Sequence, residues 1–239
     1  MLDNIPLDNI LFLDIETVPQ AASYENLDEP MQLLWDKKAI HLKKDIDDTP
    51  ASIYNRAGIY AEFGKIICIS VGFFKSTSTE RKFRIKSFYG DNEKQVLLDF
   101  AALLSQHFYR PDQLLCAHNG KEFDFPYLSR RMIVNSIKLP AILDTASKKP
   151  WEVQHLDTME LWKFGDYKSY TPINLLAHIL NIPSPKDDID GSQVWQVYHI
   201  EKNLDRIVTY CQKDVLTVAQ LILRYTLRPI LHEEDITII

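Results

Sequence analysis

The chain has 239 residues, of which 46% are hydrophobic and 25% charged, and its formal net charge is −6. This length is enough for one well-buried core, and nothing divides the sequence into two, so we expect one domain over residues 1–239. No apolar run approaches the ~18 residues of a membrane span, and the polar start Met1–Asn4 does not resemble a signal peptide. These features exclude a membrane-spanning protein and predict a cytoplasmic one.

The three cysteines of the chain lie inside apolar, periodic segments. Cys68, Cys116 and Cys211 form no Cys-x-x-Cys pair, which argues against a zinc site and against a disulfide framework. We therefore predict that all three are reduced core residues.

The first half of the chain is rich in predicted strands. In chain order the pattern predicts a strand at Ile10–Asp14, helical stretches at Met31–Leu42 and Ala51–Ile59, strands at Lys65–Phe74 and Lys82–Tyr89, and a helix at Asn92–Phe108. The first three strands suggest an antiparallel meander.

The stretch from about residue 18 to 62 is the least periodic part of this half. It follows directly after the first strand, and long insertions of this kind are often binding loops or lids. The sequence leaves two interpretations open, a lid over a substrate and a peripheral helical addition.

The second half of the chain is mainly helical. We predict a buried strand at Gln113–Ala117, a turn at Asn119, a helix at about Asp124–Asn135, a strand at Val153–Asp157, short helices at Pro172–Leu180 and Ser192–Val197, and a closing helix at about Leu204–Arg224.

Acidic residues follow or lie within these elements in a pattern that suggests a metal site. Asp14 and Glu16 are two residues apart after the apolar run Ile10–Leu13, so both side chains point to one face of the strand. Asp124 follows the Asn119 turn. Tyr210 and Asp214 are four apart on the closing helix, which places a phenol beside a carboxylate.

Carboxylates in this number suit hard divalent cations. Mg²⁺ and Mn²⁺ prefer oxygen ligands and are usually held by a few carboxylates together with a substrate phosphate. In two-metal sites one ion activates a water and the other stabilises the leaving oxygen. A nearby tyrosine hydroxyl is suited to orienting that water.

These motifs, in this order, resemble the DEDDy-type 3′–5′ exonucleases of the ribonuclease H-like superfamily. The run from Asn119 through Phe123-Asp124 to Leu128 is similar to a motif of the proofreading domains of family B DNA polymerases, and the chain looks like a stand-alone relative of those domains. The resemblance implies an α/β fold with a mixed five-stranded central sheet flanked by helices. It also implies two Mg²⁺ or Mn²⁺ ions bound by Asp14, Glu16, Asp124 and Asp214, with Tyr210 positioning the nucleophilic water.

Four further residues are candidates for supporting roles. Thr17, Asn119 and Phe123 are candidates for substrate binding, with Phe123 placed to stack on a terminal base. Asp157 lies in a segment similar to one near the metal site of proofreading domains. It is expected to orient the metal ligands, to cap the following helix, or both.

The net charge of −6 weakens a nucleic-acid assignment only in part, because bound metal ions would offset the four ligand carboxylates. Basic residues that are candidates for phosphate contacts, or else lie on a solvated surface, are Lys121, Arg130, Arg131, Lys148, Lys149, Lys163, Lys168 and Lys186. We expect a nucleic-acid partner with a single-stranded or frayed 3′ end. The sequence indicates neither a protein partner nor a choice between DNA and RNA.

Two functions of other classes remain open from the sequence. One is a catalytically silent nucleic-acid-binding module that has kept the fold. The other is a phosphodiesterase that acts on a small nucleotide substrate, which the same pair of metal ions is able to cleave.

Overall fold

A computed structural model describes residues 5–76, 81–166, 170–183 and 189–239. Its centre is a six-stranded mixed sheet in the order β5-β4-β1-β2-β3-β6. The strands are β1 (Ile10–Pro19), β2 (Gly64–Ser76), β3 (Arg81–Tyr89), β4 (Leu114–Ala117), β5 (Leu156–Asp157) and β6 (Ile236–Ile238).

Strand β1 occupies the middle of the sheet. It pairs antiparallel with β2, which pairs antiparallel with β3, so the predicted meander is confirmed. On its other side β1 pairs parallel with β4, and β4 pairs parallel with β5. Because the carboxyl ends of parallel strands meet at one edge, the residues that follow β1, β4 and β5 gather there.

Helices cover both faces of the sheet. They are α1 (Glu29–Ala39), α2 (Glu93–His107), α3 (Asp124–Val134), α4 (Thr158–Lys163), α5 (Ile173–Ile179), α6 (Val194–His199) and α7 (Leu204–Tyr225). Side-chain caps explain several starts, because Asp28, Asn92, Asp157 and Asn203 each accept a backbone N–H from the first turn. None of the described helices has the length and apolarity that a membrane crossing requires.

The alternation of β1 splits the core into two layers. Leu11, Leu13 and Ile15 pack on the side of α2 and α3, in a cluster with Phe100 and Leu128. Ile10 and Phe12 pack on the opposite side, against the apolar stripe of α7 that includes Val215, Val218 and Ile222. Asp14 and Glu16 continue the Ile10–Phe12 alternation and therefore belong to the α7 side of the sheet.

Residues 20–63, called here the β1–β2 segment, have a small core of their own. Trp35, Tyr54 and Phe63 are buried in it, with Trp35 in edge contact with both other rings at 5.5 and 5.2 Å between centroids. The segment begins later than expected because β1 continues to Pro19. Of its two predicted helices, the first is α1, and the second is a 3₁₀ helix at Tyr54–Ile59.

Two expectations about the sheet need correction. The resemblance implied five strands, but Ile236–Ile238 add a sixth that pairs parallel with β3 at the edge of the sheet. The strand predicted at Val153–Asp157 is shortened to Leu156–Asp157, because Pro150–Glu152 form a 3₁₀ turn ahead of it.

Candidate active site

Strand β1 presents the first two carboxylates. Its register with β2 shifts between Glu16, which faces Cys68, and Thr17, which faces Ile66. Such a bulge bends a strand and re-aims its side chains. Glu16 is buried, and the Oδ2 atom of Asp14 is shielded from solvent and without a hydrogen-bond partner among the described residues.

Helix α7 lies against this end of β1. The Cys211 thiol donates a hydrogen bond to the backbone carbonyl of Asp14 at 3.4 Å, which fixes the helix to the strand. Tyr210 and Asp214 flank that thiol on the same helix, and their side chains are hydrogen-bonded to each other. The four-residue spacing thus produces the pair that the sequence predicted.

Helix α3 brings the third acidic residue from the other side. Asp124 is its first residue and is almost fully buried. Its carboxylate accepts backbone N–H bonds from Ile15 and from itself. Because Ile15 lies between Asp14 and Glu16, this contact places Asp124 beside the acidic pair of β1.

Burial and mutual repulsion dominate the electrostatics of these acids. Burial, followed by the neighbouring charge of Glu16 and then of Asp214, raises the pKa of Asp14 well above its usual value. Burial, followed by the charge of Asp214, likewise raises the pKa of Glu16 well above its usual value. Burial raises the pKa of Asp124 to about 8, against the effect of its backbone bonds. Grouped, desolvated carboxylates of this kind are stabilised by a cation.

The donor set fits hard divalent ions. Ligand atoms of Asp14, Glu16 and Cys211 lie within 4.8 Å of one another. Burial raises the pKa of the Cys211 thiol, so it stays protonated, and a neutral thiol is a poor ligand for Mg²⁺. The carboxylates therefore form the group of residues suited to hold such ions, and among the described residues the Oδ2 of Asp14 has no other hydrogen-bond partner.

A cleft of about 470 Å³ opens over Asp14, Glu16 and Asp214, whereas the buried Asp124 does not line it. Its lining includes Asp14, Glu16, Asp214 and Tyr210, together with the substrate-binding candidates Thr17 and Phe123. The Phe123 ring packs 5.3 Å from that of Tyr127, measured between centroids, and the Thr17 hydroxyl hydrogen-bonds the Tyr127 phenol. Thr17 is thus positioned by a contact that the sequence did not reveal.

Asn119, the third substrate-binding candidate, does not line the acidic cleft. It lines a neighbouring cavity of about 560 Å³. Its backbone is in the left-handed region at φ 60°, and its Oδ1 atom is buried without a hydrogen-bond partner in the described parts of the chain. A direct contact between Asn119 and a nucleotide therefore stays a prediction.

Asp157 links the ends of β4 and β5. Its carboxylate accepts the N–H groups of Asn119 at 2.9 Å and Lys121 at 3.1 Å, and also those of Met159 and Glu160 at the start of α4. Asp157 therefore caps α4, as one interpretation expected, and holds the loop that leads to Asp124, while its role in orienting metal ligands stays a prediction. Its charge also raises the pKa of Asp124.

The basic residues that were candidates for phosphate contacts lie in different environments. Arg131 is buried in an ion pair with Glu93 and is unavailable to a substrate. Lys121 pairs with Glu160 at 2.6 Å, and Lys121, Lys148 and Lys163 line the cavity beside Asn119. Lys168 and Lys186 lie outside the described residues.

Sequence reasoning missed part of the cleft lining. Asn55 and Arg56 come from the β1–β2 segment, Ser192 comes from the turn before α6, and Trp195 from the first turn of α6. No spacing or motif marked any of them, because they reach the cleft only through packing between distant segments.

Comparison with known proteins agrees with this geometry. A family described as a predicted 3′–5′ exonuclease related to the exonuclease domain of PolB matches residues 59–236, which is more than half of the chain. The chain belongs to this family. Membership assigns the chain to predicted 3′–5′ exonucleases, which are enzymes that hydrolyse phosphodiester bonds. The matched range includes Asp124, Tyr210 and Asp214 but begins after Asp14 and Glu16.

A solved structure with a similar fold is the family B DNA polymerase from the hyperthermophilic archaeon Pyrobaculum calidifontis. The TM-score is 0.52 at 16% sequence identity, over 92% of this chain and 25% of the polymerase. The chain thus spans about a quarter of that polymerase. At this identity the similarity shows the fold, which is ribonuclease H-like as the sequence predicted.

Proposed function

We propose that this exonuclease uses two divalent ions, Mg²⁺ or Mn²⁺, to release 5′-mononucleotides from the 3′ ends of single-stranded or frayed nucleic acids. The observation that carries the proposal is the convergence of acids from β1 and α7 at one cleft, with Tyr210 beside them and with buried Asp124 of α3 hydrogen-bonded to the Ile15 N–H between the two β1 acids. Asp14, Glu16, Asp124 and Asp214 are the proposed ligands.

Bound ions at this site would activate a water and stabilise the charge that develops on the leaving oxygen. The chain's own residues prepare the site for that chemistry. Buried acids with raised pKa values hold protons in the metal-free protein, so uptake of a cation releases those protons and weakens as the pH falls.

Tyr210 is the proposed water-positioning residue. Burial and the charges of Asp214, Glu16 and Asp14 raise its pKa, so the phenol stays protonated. A neutral phenol held by a hydrogen bond to Asp214 orients a water but does not deprotonate it. We therefore assign Tyr210 to orientation and not to general-base catalysis.

Phe123 and Thr17 complete the proposed site. Both line the acidic cleft, where Phe123 offers an aromatic surface to the terminal base and Thr17 offers its hydroxyl or backbone to the terminal sugar. Single strands and mismatched ends should be degraded faster than paired ends, because a paired end first costs a few kcal/mol of unpairing.

One assay tests the proposal. Linear single strands labelled at either the 3′ or the 5′ end are digested with Mg²⁺, with Mn²⁺ and with EDTA, beside circular single strands and dinucleotides. We expect metal-dependent loss of the 3′ label first, 5′-mononucleotide products and intact circles. Asp14→Ala and Asp214→Ala should abolish the activity while the protein remains folded.

Early release of the 5′ label, or efficient cutting of circles, would overturn the 3′–5′ assignment. Cleavage of dinucleotides with no action on longer strands would favour the small-nucleotide phosphodiesterase. Binding without any cleavage would favour the silent module. Parallel DNA and RNA substrates decide between the two nucleic acids.

The domain and location assignments belong to the same proposal. We treat residues 1–239 as one exonuclease domain with the β1–β2 segment as an insertion, and we place the enzyme in the cytoplasm. Limited proteolysis tests the first assignment, since a single domain should resist cleavage between β1 and α7. Fractionation of cells tests the second.

A further inference from the structure

The β1–β2 segment forms one wall of the acidic cleft. Asn55, Arg56, Gly58 and Ile59 line the cleft beside Glu16 and Thr17. The sequence left this segment open as either a lid or a peripheral addition. Its position in the cleft argues against a peripheral addition.

Internal packing makes this wall a fixed structure. Trp35 is fully buried, and its indole N–H donates to the backbone carbonyl of Pro50 at 2.8 Å. Tyr54, at the start of the 3₁₀ helix that carries Arg56, packs its ring against Trp35. A segment with a buried aromatic core costs more to open than a loop without one.

Two contacts attach the wall to the catalytic elements. Gly58 lies so close to β1 that a Cβ there would meet the backbone of Val18 at 3.0 Å. The Tyr127 hydroxyl, on α3, donates to the Gly58 carbonyl at 2.7 Å. The wall is therefore fixed to the strand that carries Glu16 and to the helix that begins at Asp124.

Arg56 is the cation that this wall adds to the cleft. Among the described residues that line the cleft, it is the single lysine or arginine, beside three carboxylates. One terminal nitrogen, Nη1, donates to the Leu42 carbonyl at 2.8 Å and holds the side chain in place. The charge of Arg56 also lowers the pKa of the exposed Asp48, after the backbone bonds of that residue.

We propose that Arg56 binds a phosphate of the substrate strand and that the β1–β2 segment is a fixed substrate-binding wall. The inference rests on the proposed exonuclease function. A guanidinium offers several donors in a planar fork that matches phosphate oxygens, and Nη1 uses only part of that fork. In a cleft where carboxylates repel an anionic strand, a cation held in the same lining supplies an attraction that orients the strand.

The test compares Arg56→Ala, Arg56→Lys and the control Arg110→Ala, whose guanidinium pairs with Asp112 at 3.2 Å and does not line the cleft. Fluorescence anisotropy measures binding of a labelled single-stranded oligonucleotide, with every variant made in an Asp214→Ala background that prevents cleavage. Arg56→Ala should weaken binding about 10- to 100-fold, as expected for loss of a charge-assisted hydrogen bond. Arg110→Ala should leave binding unchanged.

Salt dependence separates phosphate binding from a merely structural effect. The slope of log affinity against log salt should become shallower by about 0.7 in Arg56→Ala, the value for one phosphate contact on a single strand. Arg56→Lys keeps the charge, so it should keep the slope and lose part of the affinity. Thermal unfolding of each variant shows whether the wall remains folded.

With Asp214 restored, Arg56→Ala should raise KM more than it lowers kcat. An unchanged affinity and slope in Arg56→Ala would overturn the inference while the exonuclease assignment stands on the activity of the wild type. If the wild type releases no nucleotide from any strand, the proposed function fails, and the binding data still decide whether Arg56 contacts phosphate.

Discussion

The carboxylates of the candidate site lie closer together than acidic side chains on a protein surface usually do. Asp14, Glu16 and Asp124 are desolvated and repel one another or Asp214, and each has a raised pKa in the metal-free protein. The folded state therefore carries an unfavourable electrostatic contribution that a bound cation would remove. Two predictions at the level of single residues test this description.

The first concerns Asp124. Its pKa of about 8 in the folded protein lies above the value of about 3.9 expected in the unfolded chain. The folded state therefore binds the proton more tightly, and the stability that this contributes is present below about pH 4 and is lost as the pH rises toward 8.

Asp124→Asn removes this titration and should stabilise the metal-free protein progressively more between those two pH values. Thermal unfolding in EDTA, as a function of pH, measures the difference in Tm between the variant and the wild type. A difference that stays constant with pH would contradict the electrostatic description of Asp124.

The second concerns Tyr210. Tyr210→Phe removes the hydroxyl that is hydrogen-bonded to Asp214 and keeps the ring. We expect kcat to fall toward the low end of the ~10²- to 10⁴-fold range of proton-handling groups, because the metals provide most of the activation. KM should change little. Tyr109→Phe, at an exposed position outside the cleft, is the control, and full activity in Tyr210→Phe would reduce the residue to packing.

At the level of secondary-structure elements, the Asp157 carboxylate connects the ends of two neighbouring strands, β4 and β5, by hydrogen bonds. Asp157 ends β5, caps α4 and accepts two N–H groups from the turn after β4. That turn leads directly into α3 and Asp124. The loop geometry therefore depends on a residue that need not touch the substrate.

Asp157→Ala removes a helix cap and leaves N–H groups of the turn without an acceptor. We expect a loss of stability of about 1–2 kcal/mol from the cap alone, and a further fall in kcat because the loop before Asp124 is released. Asp28→Ala, which removes the cap of α1, is the matched control. It should lose stability and keep kcat.

Asp157→Asn should restore most of the cap, since asparagine caps helices about as well as aspartate. Denaturant unfolding and steady-state kinetics on the three variants separate the two effects. Equal losses of kcat in Asp157→Ala and Asp28→Ala would mean that Asp157 acts only through global stability.

At the level of the whole molecule, a buried ion pair ties together segments that are distant in sequence. Arg131 on α3 donates to both carboxylate oxygens of Glu93 at 2.8 and 2.6 Å, and to the Ala61 carbonyl of the β1–β2 segment. Glu93 in turn accepts the Ile66 N–H of β2. The pair thus connects α2, α3, β2 and the wall of the cleft.

Arg131→Ala leaves Glu93 buried without its partner, and we expect a loss of about 3–5 kcal/mol in the free energy of unfolding. The adjacent Arg130 is exposed, so Arg130→Ala should change stability by less than about 0.5 kcal/mol. Denaturant titrations provide the comparison. A similar, small effect of both substitutions would show that the pair does not hold these segments together.

Local patterns were enough to predict much of this protein. Alternation in Ile10–Leu13 set which face of β1 carries Asp14 and Glu16, and helical periodicity placed Tyr210 beside Asp214. The helix cap at Asp157 follows from the same kind of information. Each of these features depends on residues a few positions apart, and side-chain direction over such distances is fixed by the element itself.

Other features were decided only by tertiary structure. The contact of Asp124 with the Ile15 N–H, the placement of Asn119 outside the acidic cleft, the burial of Arg131 and the approach of Arg56 each join parts of the chain far apart in sequence. The sixth strand forms because β3 has an open edge that the last residues reach. Such contacts depend on how packed elements are oriented to one another, and no periodicity within a single element encodes that orientation.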